Sequence, residues 1–306
     1  MNIKIILIIA FFSIFGPRGF TQDQEDIQTL SIFSEYVKSK NYDAAYTPWM
    51  ELRQRNPRFN KAIFVYGERI LKDKIKKSTG QEKVNFINDM LALWEERAKY
   101  FSSVTPKGTY MAKACQLKYD NRDDLGLDKM QLHSAFSRAY NTDPKTFTNP
   151  KSLYTYFSLV VDMYDAGNIP AQELFNSYEI VTEKVESEVK NYTNKRNAFL
   201  DEEGTPKELS RTDASRLKSY NSYLKAYNQI SSSIDVKLGS RANCENLIPL
   251  YSRDFETFKN DGLWLQRAMN RMYAKGCNED SLFVKIVEQK NNLEPNADTS
   301  FYLGLL

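Results

Sequence analysis

Asn41-Tyr42-Asp43-Ala44-Ala45, followed by Trp49, Leu52 and Asn56-Pro57, is the stretch on which the fold turns. Asn41 to Asp43 is a polar turn. Ala45, Trp49 and Leu52 then recur at helical spacing, with small and large side chains sharing one face. Pro57 lacks an N–H and has a fixed φ, so it cannot continue a helix. Upstream of the turn, Ile32 and Tyr36 stand four residues apart, as the inward positions of a preceding helix would. Residues 26–59 therefore read as helix, tight turn, helix, stop. Phe33 stands where a small residue would let the two helices approach, and is expected to splay them.

The pattern continues in step. Counting from Asp26, the next unit of 34 residues begins at Asn60, and Ile63, Tyr66, Gly67 and Ile70 fall where large, large, small and large residues are required. Its second helix is delayed by a charged segment, Lys72 to Gly80, read as a turn. It then runs from about Gln81 to Phe101, with Phe86, Met90, Trp94 and Ala98 as the inward face. A third unit near 107–144 repeats the second-helix spacing of Ala45, Trp49, Leu52 and Pro57: Leu132, Phe136, Ala139, then Asp143-Pro144.

Between 151 and 258 the period loosens. A first helix with Tyr156, Leu159, Val160 and Met163 ends at Gly167-Asn168, and a long second one runs towards Leu200. Asp201 to Thr212 reads as a loop, and a helix from Asp213 to Leu238 is paired with one from Cys244 to Phe258. Regular spacing resumes over 261–306. The last full pair turns at Gly276 and stops at Glu294-Pro295. The chain then starts one more helix, Ala297, Phe301, Leu303, Gly304, whose shortness reads as a repeat cut before its partner.

The chain resembles secreted tetratricopeptide-repeat proteins of the Bacteroidota. The residues that carry the resemblance are Asn41 to Pro57, Tyr66-Gly67, Cys244-Glu245-Asn246-Leu247-Ile248-Pro249-Leu250-Tyr251 and Lys275-Gly276-Cys277. The resemblance implies an all-α fold: an α-α superhelix of about six helix pairs. It also implies an interaction scaffold in the periplasm or at the cell surface, binding protein or peptide partners on its concave face. The rival reading is an accessory subunit of an outer-membrane transport or assembly complex that handles glycan or unfolded polypeptide.

Composition narrows the classes. The sequence has 306 residues and a formal charge of +3. Residues 1–21 read as a signal peptide: Lys4, an apolar run from Ile5 to Phe15, a Gly16-Pro17 break, and Gly19 and Thr21 before a cut at Gln22. The other reading of this leader is an uncleaved anchor. Lys4 and Arg18 lie in it and no acidic residue precedes Asp23, so the mature domain, 22–306, carries +1. That argues against nucleic acid as partner, which calls for a basic face. No later stretch reaches membrane-spanning length. One histidine, His133, leaves little for metal sites or acid–base dyads. No cofactor, metal or catalytic set is expected, and the chain reads as a non-enzyme.

Three cysteines remain. Cys244 and Cys277 lie about one repeat apart, each near a helix boundary, so they are either a disulfide of an oxidising compartment or two buried thiols. Cys115 reads as a small core residue. Asp120 to Asp124 lacks calcium-loop spacing, since Arg122 takes a ligand position. Glu183, Lys184, Glu186, Glu188 and Lys190 read as a solvated helix face. Partner contact is expected on the first helix of the second unit, at Phe64, Glu68, Leu71 and Lys72, where aromatic and charged side chains suit an extended peptide. The alternative is that Phe64 and Leu71 pack inward.

Overall fold

The computed structural model describes residues 18–304, with side chains from 23 onward. The apolar leader lies outside the described residues. Helices α1 (Arg18–Lys38), α2 (Tyr42–Arg55), α3 (Ala62–Lys77), α4 (Gly80–Tyr100), α5 (Lys107–Asp120), α6 (Arg122–Leu125) and α7 (Lys129–Thr142) come first. Then follow α8 (Pro150–Asp165), α9 (Ala171–Asn197), α10 (Arg211–Leu238), α11 (Cys244–Phe258), α12 (Gly262–Ala274), α13 (Ser281–Leu293) and α14 (Ala297–Leu303). No strand occurs among the described residues, and the fold is all-α. Most starts are written locally. The side chains of Asn41, Asn149, Ser210, Asn243 and Asp261 each accept from a backbone N–H of the first turn that follows.

The chain divides into two compact units. The first holds the chain through Tyr110 together with Asp120–Gly126. Here α1 packs on α2, α2 on α3 and α3 on α4. Trp49 is its centre. The indole is fully buried and donates from Nε1 to the Ile63 carbonyl at 2.9 Å. Its six-membered edge lies against Gly67, where a Cβ would stand 2.5 Å from the ring. Only glycine allows this approach between α2 and α3. Arg53, also buried, lies over the same indole at 5.3 Å and donates to Asp89 at 2.7 Å and Glu96 at 2.9 Å on α4. Asp26 is buried on α1 and accepts from Arg55 and Asn56, which ties α1 to the end of α2.

Three expectations for this unit need correction. Ile32 and Tyr36 are 43% and 38% exposed, while Phe33 and Val37 fill the core. The inward face of α1 is therefore shifted by one residue, and Phe33 packs edge-on against Tyr66 at 6.1 Å. The charged segment from Lys72 is not a turn, because α3 continues to Lys77 and only Ser78 and Thr79 separate it from α4. Ion pairs of Lys74 and Lys77 with Asp43, and of Lys77 with Asp73, hold those charges along the helix. On α4 the deepest positions include Ile87 and Leu93, whereas Phe86 is half-buried against Tyr46.

The second unit holds Met111–Tyr119 and Leu127–Leu306. Its core is one continuous apolar cluster running from Ala112 and Phe136, through Phe157 and Tyr178, to Met269 and Phe283. α8 supplies the most buried face and packs on α7, α9 and α10. The expected partner of α10 is wrong. α10 lies along α9, while α11 packs on α9, α12 and α13. The length of α9 and α10, 27 and 28 residues, makes them a hairpin of their own.

Gly67→Ala tests the Trp49 contact. Alanine is the better helix former by about 1 kcal/mol, but the clash falls on a ring that its own hydrogen bond holds in place. Overpacking a core of this kind costs about 1–3 kcal/mol. We expect a lower urea midpoint for the variant; an unchanged or higher midpoint would show that Trp49 can yield.

Candidate functional site

The four residues expected to meet a partner do not form a groove. Phe64 is buried against the rings of Tyr100 and Phe101, and Leu71 is buried with it. Both belong to the core because they extend the inward face made by Ile63, Gly67 and Ile70. Glu68 accepts from Trp94 Nε1 at 3.1 Å and pairs with Lys72 at 2.7 Å, so its carboxylate is spent within the unit. Lys72 alone of the four is largely exposed.

Cys244 and Cys277 are joined in a disulfide with their Cα atoms 5.5 Å apart. Local sequence delivers both sulfurs. Asn243 caps α11 and sets Cys244 at its first position. Gly276 takes φ +74° after α12, and this left-handed step lets the Cys277 N–H reach the Met272 carbonyl at 2.8 Å. Cys115 is free and buried, and burial pushes its thiol up to about 11. His133 stacks on Tyr156 at 6.2 Å, and burial lowers its proton affinity. The segment from Arg122 to Leu125 is a short helix closed by Gly126.

The second unit contains a cleft of about 380 Å³ walled by α9, α10 and α12. Each wall offers residues one turn apart. Tyr178, Thr182 and Glu186 come from α9; Ser231 and Asp235 come from α10; Arg267, Arg271 and Lys275 come from α12 and its end. Under the middle of the cleft lies Arg271, 13% exposed. It donates to Glu179 at 2.5 Å, to the Tyr178 hydroxyl at 2.6 Å and to the Tyr251 hydroxyl. Burial opposes its charge, but Tyr251, Glu179 and Tyr178 outweigh that cost and the guanidinium holds its proton more tightly than usual. Tyr178 in turn donates to Asp235. Arg267 pairs with Glu186 at 2.6 Å. Burial raises the Glu186 carboxyl, and Arg267 opposes it.

Thr182 Oγ1 has no hydrogen-bond partner here, whereas Arg267 Nε lies 3.4 Å from Glu179 Oε2 in a second ion pair. Lys275 donates only to the Gly239 carbonyl, at 3.2 Å, and forms no ion pair. The disulfide anchors this end of the cleft, since the Lys275 carbonyl oxygen lies 3.6 Å from Cys244 Sγ. The face read as solvated, Glu183 to Lys190, needs correction at two places. Glu186 lines the cleft, and Glu188 is buried and paired with Lys184 at 3.1 Å. The signal for the cleft was the four-residue spacing of Arg267, Arg271 and Lys275, set against the same spacing of Tyr178, Thr182 and Glu186. Comparison with family models, with curated proteins and with solved structures found no match.

Two outcomes follow. Thiol counting on unreduced, denatured protein should give a single free thiol, and reduction should lower stability by about 2–4 kcal/mol; three thiols before reduction would refute the bridge. Burial also pushes Tyr140 and Tyr192 up to about 12 from an ordinary 10.0. The folded state then holds protons that the unfolded state releases, so stability should fall as pH rises from 10 through 12. Urea midpoints across that range check it, and a flat profile would contradict the burial of these phenols.

Proposed function

We propose that this chain is a tetratricopeptide-type repeat scaffold of the Bacteroidota kind. It is exported across the inner membrane and binds partner proteins in the periplasm or at the cell surface. The observation that carries this reading is the packing of Trp49 on Gly67. A large residue of one helix meets the small position of the next, at the spacing at which such repeats stack. The burial of Ala45, Trp49 and Leu52, and of Leu132, Phe136 and Ala139, supports it, because the same offsets recur in both stretches. Successive helix pairs of this kind stack into a right-handed superhelix, and such stacks use their extended surfaces for binding. The Cys244–Cys277 bridge suits an oxidising compartment. No helix among the described residues is long and apolar enough to cross a membrane.

The test is photocrosslinking in the native envelope. Crosslinkers are placed at exposed positions of the first unit, Ile32 and Tyr36, and of the second, Val236 and Phe301. A scaffold gives a discrete protein adduct at one position, which excess unmodified protein competes away. No competable adduct at any position, from protein whose N-terminus begins near Gln22, would overturn scaffolding. An intact Met1 would overturn export.

A further inference from the structure

α10 packs on α8 and α9, and its outer side is exposed at Lys218, Asn221, Ser222, Lys225, Gln229 and Ser232. Two open depressions of about 580 and 820 Å³ lie along this side and share Asn221 and Lys225. A third continues from Ser232 and Ser233 to Lys237 and Arg241. Together they form a shallow trough that follows α10 from Ala214 to Lys237, roughly 35 Å at the helical rise.

The whole chain is close to balanced, with 42 Lys and Arg against 39 Asp and Glu. This trough is not. Lys207, Lys218, Lys225 and Arg196 line it, and no carboxylate does. The two acids of α10 are engaged elsewhere: Asp213 pairs with Arg216, and Asp235 accepts from Tyr178. The acids of the α9–α10 loop, Asp201, Glu202, Glu203 and Glu208, line none of the three depressions. Among the described residues, these four cations form no ion pair. Lys207 donates to the Ala198 carbonyl at 3.4 Å, and Arg196 to the Asn197 side chain at 2.9 Å. At the far end the charges are met, since Lys237 pairs with Asp162 and Arg241 with Asp165.

The spacing of these charges narrows the occupant. Lys218 and Lys225 stand two turns apart, roughly 10 Å along the helix, with the Asn221 amide and the Ser222 hydroxyl between them. Asn228, Gln229, Ser232 and Ser233 extend the neutral donors and acceptors beyond Lys225. Duplex DNA presents a charge about every 1.7 Å, too dense for so sparse a row. Protein interfaces are depleted in lysine and serine and rest on aromatic and apolar anchors, whereas Val236 is the large apolar side chain that this trough exposes. Beside the trough, a depression that meets it at Ser222 presents Tyr223, 41% exposed and stacked on Tyr192 at 4.6 Å. Such a ring packs well on the apolar face of a sugar. We infer that the trough binds an acidic polysaccharide with one anionic group per disaccharide. Its carboxylates meet Lys218 and Lys225, and its hydroxyls meet the amide and hydroxyl side chains between and beyond them. A disaccharide is about as long as the interval between the two lysines. The inference does not depend on the scaffold reading.

Isothermal titration of the full chain with oligosaccharides of hyaluronate and of unsulfated chondroitin tests it, since both carry a carboxylate on every second sugar. Dextran, polyglutamate and duplex DNA are the comparisons. At least one of the two acidic glycans should bind saturably, and more weakly as salt is raised. Dextran should not bind, and polyglutamate and DNA should bind at least about tenfold more weakly, a difference of about 1.4 kcal/mol. Lys218→Gln together with Lys225→Gln should weaken glycan binding at least about tenfold. The thermal midpoint should stay where it is, because neither ammonium group has a partner among the described residues. Lys61→Gln together with Lys76→Gln removes the same charge from exposed positions of the first unit and should bind like the native chain. The inference is overturned if neither acidic glycan binds saturably, or if DNA or polyglutamate binds as tightly. It is equally overturned if the Lys218–Lys225 variant binds like the native chain, or if the Lys61–Lys76 variant loses as much.

Discussion

Arg271 is the residue on which the second unit depends. A guanidinium taken out of water costs several kcal/mol unless its charge and its donors are met. Here a carboxylate and a phenol from α9 and a phenol from α11 meet it, and the arginine itself comes from α12. These bonds fix where three helices stand relative to one another, because a guanidinium donates its N–H groups along fixed directions. Tyr178 carries the arrangement on to Asp235 and thus to α10. The cleft is the surface this network leaves.

The disulfide works on the same end of the unit. Asn243 and Gly276 place the two sulfurs by local backbone chemistry, a cap and a left-handed step. The bridge then joins the start of α11 to the turn after α12, next to Lys275. Covalent closure limits how far that turn can move, while Arg271 fixes the body of α12. The first unit uses other means. Trp49 is held by its hydrogen bond to Ile63 and by the absence of a side chain at Gly67, and Arg53 links the indole face to α4.

What could be read from the sequence follows from which forces are local. Helix ends were legible because caps, glycines and prolines act on their own backbone, and the 3.6-residue period marks an inward face. Ala45, Trp49 and Leu52 show this well. The face of α1 is ambiguous by one residue in the sequence because Ile32-Phe33 and Tyr36-Val37 are adjacent apolar pairs, and only the neighbouring helix decides which member turns inward. The charges after Lys72 have the composition of a turn, and the partner that keeps them helical, Asp43, lies about one repeat earlier in sequence. The pairing of α10 with α9 is a choice between distant helices that periodicity does not record. The cleft was hidden for the same reason: its walls are up to 97 residues apart, and a charged ladder on one helix looks like a solvated face until its partner is known.

Arg271→Met tests most directly whether Arg271 organises this unit. Methionine keeps much of the side chain's length and removes the charge, leaving Glu179 buried without its closest cation. Breaking a buried pair from one side costs about 3–5 kcal/mol, whereas a surface substitution stays within about 0.5 kcal/mol. The measurement is the urea-unfolding free energy of the variant at neutral pH, set against the native chain. A loss of about 3 kcal/mol or more is the predicted result, and a change within about 0.5 kcal/mol would contradict the account.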